Sequence, residues 1–204
     1  HNNISYDFFR EEYLLNYAIS KFKKPWISIL NGIAMGGGLG LSVHGSHRII
    51  TEKTVTAMPE TAIGLFPDVG GGYFLSRMKG SVGKYIAITG RTLDFQDTIY
   101  SGIGTHLLYS NKLDEFINKL LQQKSYDSNV VDEMIEKYNN KSEIVPNLKN
   151  IEKNIDKFFS KKSILDVYNS LRNNESDWAR NTLDILRKKS PTSMAVTLEQ
   201  IEKS

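Results

Sequence analysis

Cysteine is absent from the sequence, and its absence excludes three kinds of chemistry. The chain has no disulfide framework, no thiolate nucleophile and no cysteine-bound metal. No apolar run approaches the roughly 20 residues that span a bilayer, so no transmembrane helix is expected. The net charge of +3 is too small for the electrostatic footprint of a nucleic-acid-binding protein. We therefore expect neither nucleic acid nor a membrane as a partner.

An initiator methionine is also missing, since the sequence begins at His1. No arginine-rich, acid-poor presequence and no signal-peptide pattern is visible. We therefore interpret the 204 residues as a piece of a longer protein. Hydrophobic residues make up 40% of the sequence and charged residues 24%, which are ordinary values for a globular protein with a buried core.

Glycine is confined to one part of the chain, because all 15 glycines lie within residues 32–104. In this part, short apolar segments such as Trp-Ile-Ser-Ile-Leu at 26–30 alternate with glycine-rich turns and short helical patterns, which indicates an α/β protein. Farther along, apolar residues recur at helical spacing. We predict two domains, an α/β core over residues 1–110 and a helical C-terminal region over residues 111–204.

A glycine-rich turn follows the first predicted strand, with the sequence Met-Gly-Gly-Gly-Leu-Gly at residues 35–40. At the start of a helix, such a turn leaves backbone N–H groups available for an anion, or for the oxyanion that develops during acyl transfer. Alternatively, the glycines only allow two backbones to pack closely. Neither a GxGxxG nor a Walker pattern is present, which argues against nucleotide phosphates bound by those motifs.

Two carboxylates stand among almost wholly apolar neighbours in the segment 58–72, Met-Pro-Glu-Thr-Ala-Ile-Gly-Leu-Phe-Pro-Asp-Val-Gly-Gly-Gly. Burial raises the pKa of a carboxyl group, and two close carboxylates push their pKa values apart. Glu60 and Asp68 could therefore serve as a reacting carboxylate and its partner. Alternatively, Asp68 caps the helix that follows, and Glu60 is a first-turn carboxylate after Pro59.

The histidines are weaker candidates. His44 and His47 are three residues apart, but Gly45 and Ser46 between them indicate a helix end, and no third ligand is near in sequence, so we expect no metal site. Ser42 lacks a G-x-S-x-G pattern, so we do not expect a serine triad.

Several segments together resemble the crotonase (enoyl-CoA hydratase/isomerase) superfamily, and within it they are most similar to the 3-hydroxyisobutyryl-CoA hydrolase branch. The resemblance covers nearly the whole chain and is densest between residues 8 and 105. It implies a crotonase-like α/β spiral of ββα units followed by a helical C-terminal region. The segments that carry it are Phe-Phe-Arg-Glu-Glu-Tyr at 8–13, Lys-Pro-Trp at 24–26, residues 31–45, residues 57–73 and Ser-Pro-Thr-Ser at 190–193.

The resemblance implies acyl-CoA chemistry and gives roles to four residues. The backbone N–H of Gly37 would be one oxyanion-hole donor for the thioester carbonyl. Glu60 would be the main catalytic carboxylate, either as nucleophile or as general base, and Asp68 would be the second. Glu12 would line the acyl pocket and contact the substrate's hydroxyl. No metal and no separate cofactor is implied, because CoA is part of the substrate.

Two positions distinguish the hydrolase branch from the hydratases. Hydratases of the superfamily carry a glutamate two positions past the glycine triplet, where this chain has Gly40, and glycine-alanine where it has Asp68-Val69. One hydratase carboxylate is therefore missing and a new one is present. We expect a thioester hydrolase that acts on 3-hydroxyisobutyryl-CoA or a related short 3-hydroxyacyl-CoA, as in valine catabolism.

Two alternatives accompany this interpretation. An enoyl-CoA hydratase/isomerase is the nearest one, and a non-catalytic, ribosome-associated or scaffold protein belongs to another class. The presence of both Glu60 and Asp68 argues against the second. The resemblance implies a mitochondrial location without excluding the cytosol or the peroxisome, and it leaves a homo-oligomer open.

Overall fold

The computed structural model describes residues 4–140 and 144–204. In chain order its elements are α1 (Ile4–Ser20), β1 (Ile27–Leu30), β2 (Ile33–Met35), α2 (Gly37–Gly40), β3 (His47–Ile50), β4 (Val55–Ala57), a 3-10 helix (Glu60–Ala62), α3 (Gly71–Ser76), α4 (Val82–Thr89), α5 (Phe95–Tyr100), β5 (His106–Leu107), a second 3-10 helix (Ser110–Lys112), α6 (Leu113–Leu121), α7 (Ser128–Glu136), α8 (Asn147–Phe159), α9 (Ile164–Arg172), α10 (Asp177–Leu186) and α11 (Pro191–Lys203).

These elements form two compact units that alternate along the chain. The first unit takes residues up to 56 and 93–145, and the second takes 57–92 and 146–204. The chain therefore leaves the first unit at the end of β4, between residues 56 and 57, and returns to it before α5. The predicted domain boundary at residue 110 lies within the first unit, and a division of the protein at that residue stays a prediction.

A small parallel sheet organises the first unit. Its strands pair in the order β1-β3-β5, with Ile29 opposite Ile49. Parallel neighbours require crossover connections, and the glycine turn with α2 lies within the first of these. Helices α6 and α7 cover the sheet through an apolar cluster whose members are Ile49, Leu108, Leu113, Phe116, Val131 and Ile135.

Helices dominate the second unit, and α4 is its centre. Seven of the eight residues of α4 are buried, and α3, α8, α10 and α11 all pack against it. A cap residue followed by proline predicts a helix start at Ser190-Pro191, and α11 begins there. The Ser190 hydroxyl accepts a hydrogen bond from the Ser193 N–H at 3.2 Å, and Pro191 occupies the first turn. The Ser190 N–H in turn donates to the Thr61 carbonyl at 2.9 Å, which ties α11 to the 3-10 helix that carries Glu60.

The expected α/β architecture is confirmed, and differences concern element ends. Apolar residues at helical spacing predict a helix over residues 7–22, and the structure has this helix at 4–20. The apolar segment 103–109 predicts a strand, which is reduced to 106–107. The short strand is explained by the turns on both sides of it, since the chain bends at Gly102, which has a φ of 81°. In the described part of the chain, no helix is long and apolar enough to cross a membrane.

Candidate active site

The segment 58–72 is broken into a 3-10 helix, a turn and the start of α3. Pro59 precedes the 3-10 helix, and Gly64 adopts a φ of 80°, a conformation that side-chain-bearing residues rarely take. These residues prevent one continuous helix. Glu60 therefore occupies the first position of a short 3-10 helix, where the hydrogen bonds that Ile63 and Leu65 donate to its carbonyl hold the backbone.

The carboxyl group of Glu60 is buried in an environment that disfavours its charge. The residue is 5% exposed, and among the described residues Oε2 has no hydrogen-bond partner. Burial raises the pKa of Glu60 to about 7; a hydrogen bond from its own backbone opposes the shift, and the negative charge of Asp68 adds to it. Glu60 and Asp68 thus lie close enough to interact electrostatically, and the pKa of Glu60 lies where a carboxyl group exchanges protons near neutral pH.

Asp68 sits at the beginning of a strained turn. Val69, which follows it, has a φ of 42°, in the left-handed region that a β-branched residue rarely adopts. The Gly71 N–H donates to the Asp68 carbonyl at 2.6 Å and closes the turn. The N-cap of α3 is Gly70, two residues after Asp68. Strain of this kind is retained where the surrounding structure requires a particular geometry.

Helix α11 holds the residue before Asp68. The Gln200 Nε2 donates to the Pro67 carbonyl at 3.1 Å. A Cβ built on Gly72 would lie 3.1 Å from the Gln200 Cγ, so the glutamine packs directly on the first turn of α3. Nothing in the sequence pattern identifies Gln200, because it lies 132 positions after Asp68 in an ordinary amphipathic helix.

In the first unit, the glycine turn meets the first helix. Gly36 takes a φ of 50°, and Gly37 is the first residue of α2, so its N–H has no carbonyl acceptor within the helix. A Cβ built on Gly37 would lie 2.7 Å from the Glu12 Oε1, closer than real Cβ contacts allow. A side chain at position 37 would therefore displace the end of the Glu12 side chain from where it lies. Glu12 is half-buried, whereas its neighbour Glu11 is exposed.

A cavity of about 370 Å³ lies beside this turn. It is bounded by β1, β2 and α2, and its lining includes Asn31, Gly38 and Ser42. The Ser42 hydroxyl donates to the Gly38 carbonyl at 3.1 Å, so it serves the backbone of α2. The structure therefore brings together two pairs of the residues singled out in the sequence, Glu12 with Gly37 and Glu60 with Asp68.

The histidines hold helix α7 on the sheet. His47 Nε2 lies 2.6 Å from the Asp132 Oδ1, and His106 Nε2 lies 3.3 Å from the Glu136 Oε1. The two imidazole rings stack with their centroids 5.9 Å apart. Over residues 4–140 and 144–204, no three histidine, aspartate or glutamate side chains are grouped so that they could hold a metal ion.

The sequence is similar to curated proteins along nearly its whole length. It is 42% identical over 98% of its residues to "3-hydroxyisobutyryl-CoA hydrolase, mitochondrial" of Danio rerio, covering 54% of that protein. It is 44% identical over 95% of its residues to the human protein of the same name, covering 51% of it. The chain thus spans about half the length of the curated relatives it matches.

Solved structures show the same fold. A carnitinyl-CoA dehydratase from Mycobacterium thermoresistibile matches 97% of the chain with a TM-score of 0.87 and 34% identity, over 56% of its own length. An enoyl-CoA hydratase from Rhodobacter sphaeroides 2.4.1 matches 97% with a TM-score of 0.81 and 31% identity, over 55% of its length. The family model described as enoyl-CoA hydratase/isomerase matches residues 1–204. The chain therefore belongs to the enoyl-CoA hydratase/isomerase family.

Proposed function

We propose that the protein hydrolyses the thioester of 3-hydroxyisobutyryl-CoA, or of a related short 3-hydroxyacyl-CoA, and releases the hydroxy acid and CoA. The observation that carries the proposal is the buried carboxyl group of Glu60, with an unpartnered oxygen, a pKa of about 7 and the charge of Asp68 nearby. The curated relatives that share 42% and 44% of the sequence bear the name of this hydrolase, which supports the same assignment.

Glu60 has the properties that the reacting carboxylate needs. With a pKa of about 7, a large fraction of the group is ionised at neutral pH, and the same group still holds a proton readily. As a base it takes a proton from the attacking water; as a nucleophile it attacks the carbonyl and forms a mixed anhydride that water then cleaves. The CoA thiolate is a good leaving group, so either path needs little acid assistance.

The other three residues receive supporting roles. The Gly37 N–H donates to the carbonyl oxygen as it becomes an oxyanion, because a fixed donor there stabilises the developing charge. The negative charge of Asp68 adds to the raised pKa of Glu60, which is set mainly by burial, and Asp68 orients the water or the substrate's hydroxyl. The Glu12 carboxylate, which lies against Gly37, accepts a hydrogen bond from the hydroxyl of the acyl group.

An enoyl-CoA hydratase is the second candidate, because the two solved structures named above are a dehydratase and a hydratase. Position 40 argues against it. Gly40 is the last residue of α2 and is buried, so the chain supplies no carboxylate where hydratases of the superfamily carry one. Hydration of an enoyl group needs acid and base groups at adjacent carbons, whereas thioester hydrolysis needs one reacting carboxylate and an oxyanion donor.

The relatives' names also support a mitochondrial location for this protein. The molecule that binds the proposed site is the acyl-CoA substrate. Because CoA is part of this substrate, the proposed chemistry requires no separate cofactor. A non-catalytic scaffold role fits less well, because a buried carboxyl oxygen that has no hydrogen-bond partner among the described residues, such as the Glu60 Oε2, destabilises the fold unless it is used.

Turnover by the full-length protein tests the proposal. We expect thiol release from 3-hydroxyisobutyryl-CoA and 3-hydroxypropionyl-CoA, and little loss of the enoyl absorbance of crotonyl-CoA. Rapid hydration of crotonyl-CoA without thiol release would establish the hydratase instead. Absence of both activities, together with cofractionation with ribosomes, would favour the scaffold role.

A further inference from the structure

Helix α1 buries only a few residues, which lie on one face of the helix. Nearly all of its residues are exposed; only Asn16 and Ile19 are buried, and Glu12 is half-buried. The three positions are spaced by four and three residues, so they lie on one face of the helix. The inward face of α1 is therefore largely polar, and Asn16 stands one turn after the glutamate that contacts Gly37.

The amide group of Asn16 is buried without compensation. The residue is 5% exposed, and neither Oδ1 nor Nδ2 has a hydrogen-bond partner within the part of the chain that the structure describes. A buried polar atom left unpaired costs about 1–3 kcal/mol, and such atoms are rare in folded proteins. Asparagine also favours a helix interior less than alanine or leucine does. Helix propensity does not explain the residue, and its position one turn after Glu12 favours a polar group of a bound ligand as the partner of the amide.

Hydrogen-bond counting indicates what that group is. A hydroxyl has one donor and two acceptor sites, while an ionised carboxylate only accepts. Glu12 can therefore accept a hydrogen bond from a substrate hydroxyl but cannot donate one to the hydroxyl oxygen. The amide Nδ2 of an asparagine can donate that second hydrogen bond. The Cβ atoms of residues four apart on a helix are about 5–6 Å from one another, so one hydroxyl oxygen can contact both side chains.

We propose that Asn16 is a specificity-determining residue that recognises the 3-hydroxyl of the acyl group together with Glu12. The Asn16 Nδ2 donates a hydrogen bond to the hydroxyl oxygen, and the Glu12 carboxylate accepts a hydrogen bond from the same hydroxyl. The proposal rests on the proposed function for the substrate class. A site that pairs a hydroxyl with two buried polar groups rejects the analogue that lacks it, because both groups then stay unpaired.

The experiment compares 3-hydroxyisobutyryl-CoA with isobutyryl-CoA, which differs only by the hydroxyl, in the full-length protein. Asn16→Leu should lower kcat/KM for the hydroxylated ester by about 10- to 100-fold and change that for isobutyryl-CoA by less than about twofold. Asn169→Leu makes the same replacement at an exposed position of α9 and should change neither value. An equal loss on both esters, or no loss, would overturn the proposal.

Two additions keep the outcome decisive. If Asn16→Leu does not fold, Asn16→Asp conserves size and removes the donor, and it should show the same selective loss. The dissociation constants of the two esters are also measured in the Glu60→Gln background, where turnover is not needed. A wild-type protein that hydrolyses neither ester refutes the proposed function, whereas an unchanged ratio of the two dissociation constants on replacing Asn16 refutes the role of Asn16.

Discussion

The Glu12 carboxylate lies so close to the α carbon of Gly37 that a methyl group added there would be 2.7 Å from the Glu12 Oε1. The contact joins the first helix to the start of α2 across 25 positions of sequence. It fixes the position of a carboxylate beside a backbone N–H without an intrahelical acceptor.

Gly37→Ala should lower kcat/KM for hydroxylated acyl-CoA esters by about tenfold, because the new Cβ displaces the flexible end of the Glu12 side chain while the backbone N–H at position 37 is kept. Steady-state kinetics of the full-length enzyme measures the loss. Gly38→Ala is the matched control, since its Cβ would meet only the Ala34 methyl at 3.9 Å, an ordinary contact. Equal effects of the two variants would contradict this role of the Glu12 side chain.

Glu12→Gln should lower kcat/KM for hydroxylated acyl-CoA esters by about tenfold and leave kcat/KM for the ester without a hydroxyl nearly unchanged. The reason is that a neutral amide is a poorer hydrogen-bond acceptor for the hydroxyl than a carboxylate. Glu11→Gln, at the exposed neighbouring position, is the control and should be silent. Identical losses on both ester types would make Glu12 a structural residue.

Glu60→Gln should lower kcat by about 10²–10⁴-fold and at the same time stabilise the fold at pH 8. The pKa of Glu60 is about 7, against an ordinary value of 4.5, so the wild type loses up to about 3 kcal/mol of stability as pH rises from 4.5 to 7, and the neutral glutamine avoids this loss. Denaturant unfolding at pH 8 and pH 4 measures the difference, which should vanish at the lower pH. Normal turnover in this variant would refute the mechanism.

The pH profile of kcat/KM should rise with pH up to about 7 and then level off, because the ionised form of Glu60 reacts. Asp68→Asn should move this limb to lower pH, since the negative charge of Asp68 contributes to the raised pKa of Glu60, while the larger effect of burial remains. A limb that stays in place, or moves to higher pH, would show that the charge of Asp68 does not act on the reacting group.

Gln200→Leu should lower stability by about 1 kcal/mol and turnover by several-fold, because the Pro67 carbonyl loses its hydrogen bond and the turn that carries Asp68 loosens. Urea unfolding and steady-state kinetics measure the two effects. Gln122→Leu, at the exposed end of α6, makes the same chemical change and should be neutral. A loss of stability with unchanged kinetics would limit Gln200 to packing.

Local sequence determined much of the protein. Proline and glycine set where helices stop, and the Ser190-Pro191 pair starts α11 where the pattern predicts, because caps and fixed φ angles act within a few residues. Local features single out Glu60, Asp68 and Gly37, because two carboxylates in an apolar segment and a glycine triplet are visible in the sequence, whereas Glu12 is implied only by the resemblance to the family. The raised pKa of Glu60 was predicted in direction from its apolar neighbours.

Only the tertiary structure decided the contacts between distant segments. Glu12 lies against Gly37, and Gln200 donates a hydrogen bond to Pro67, so both contacts join residues far apart in the chain. Within the described residues, the buried amide of Asn16 has no hydrogen-bond partner. Neither hydrophobic periodicity nor motif spacing predicts these three features. The alternation of the chain between two units is likewise set by which helices bury one another's apolar faces. A sequence pattern specifies which face of a helix is apolar, but packing in three dimensions selects its partner.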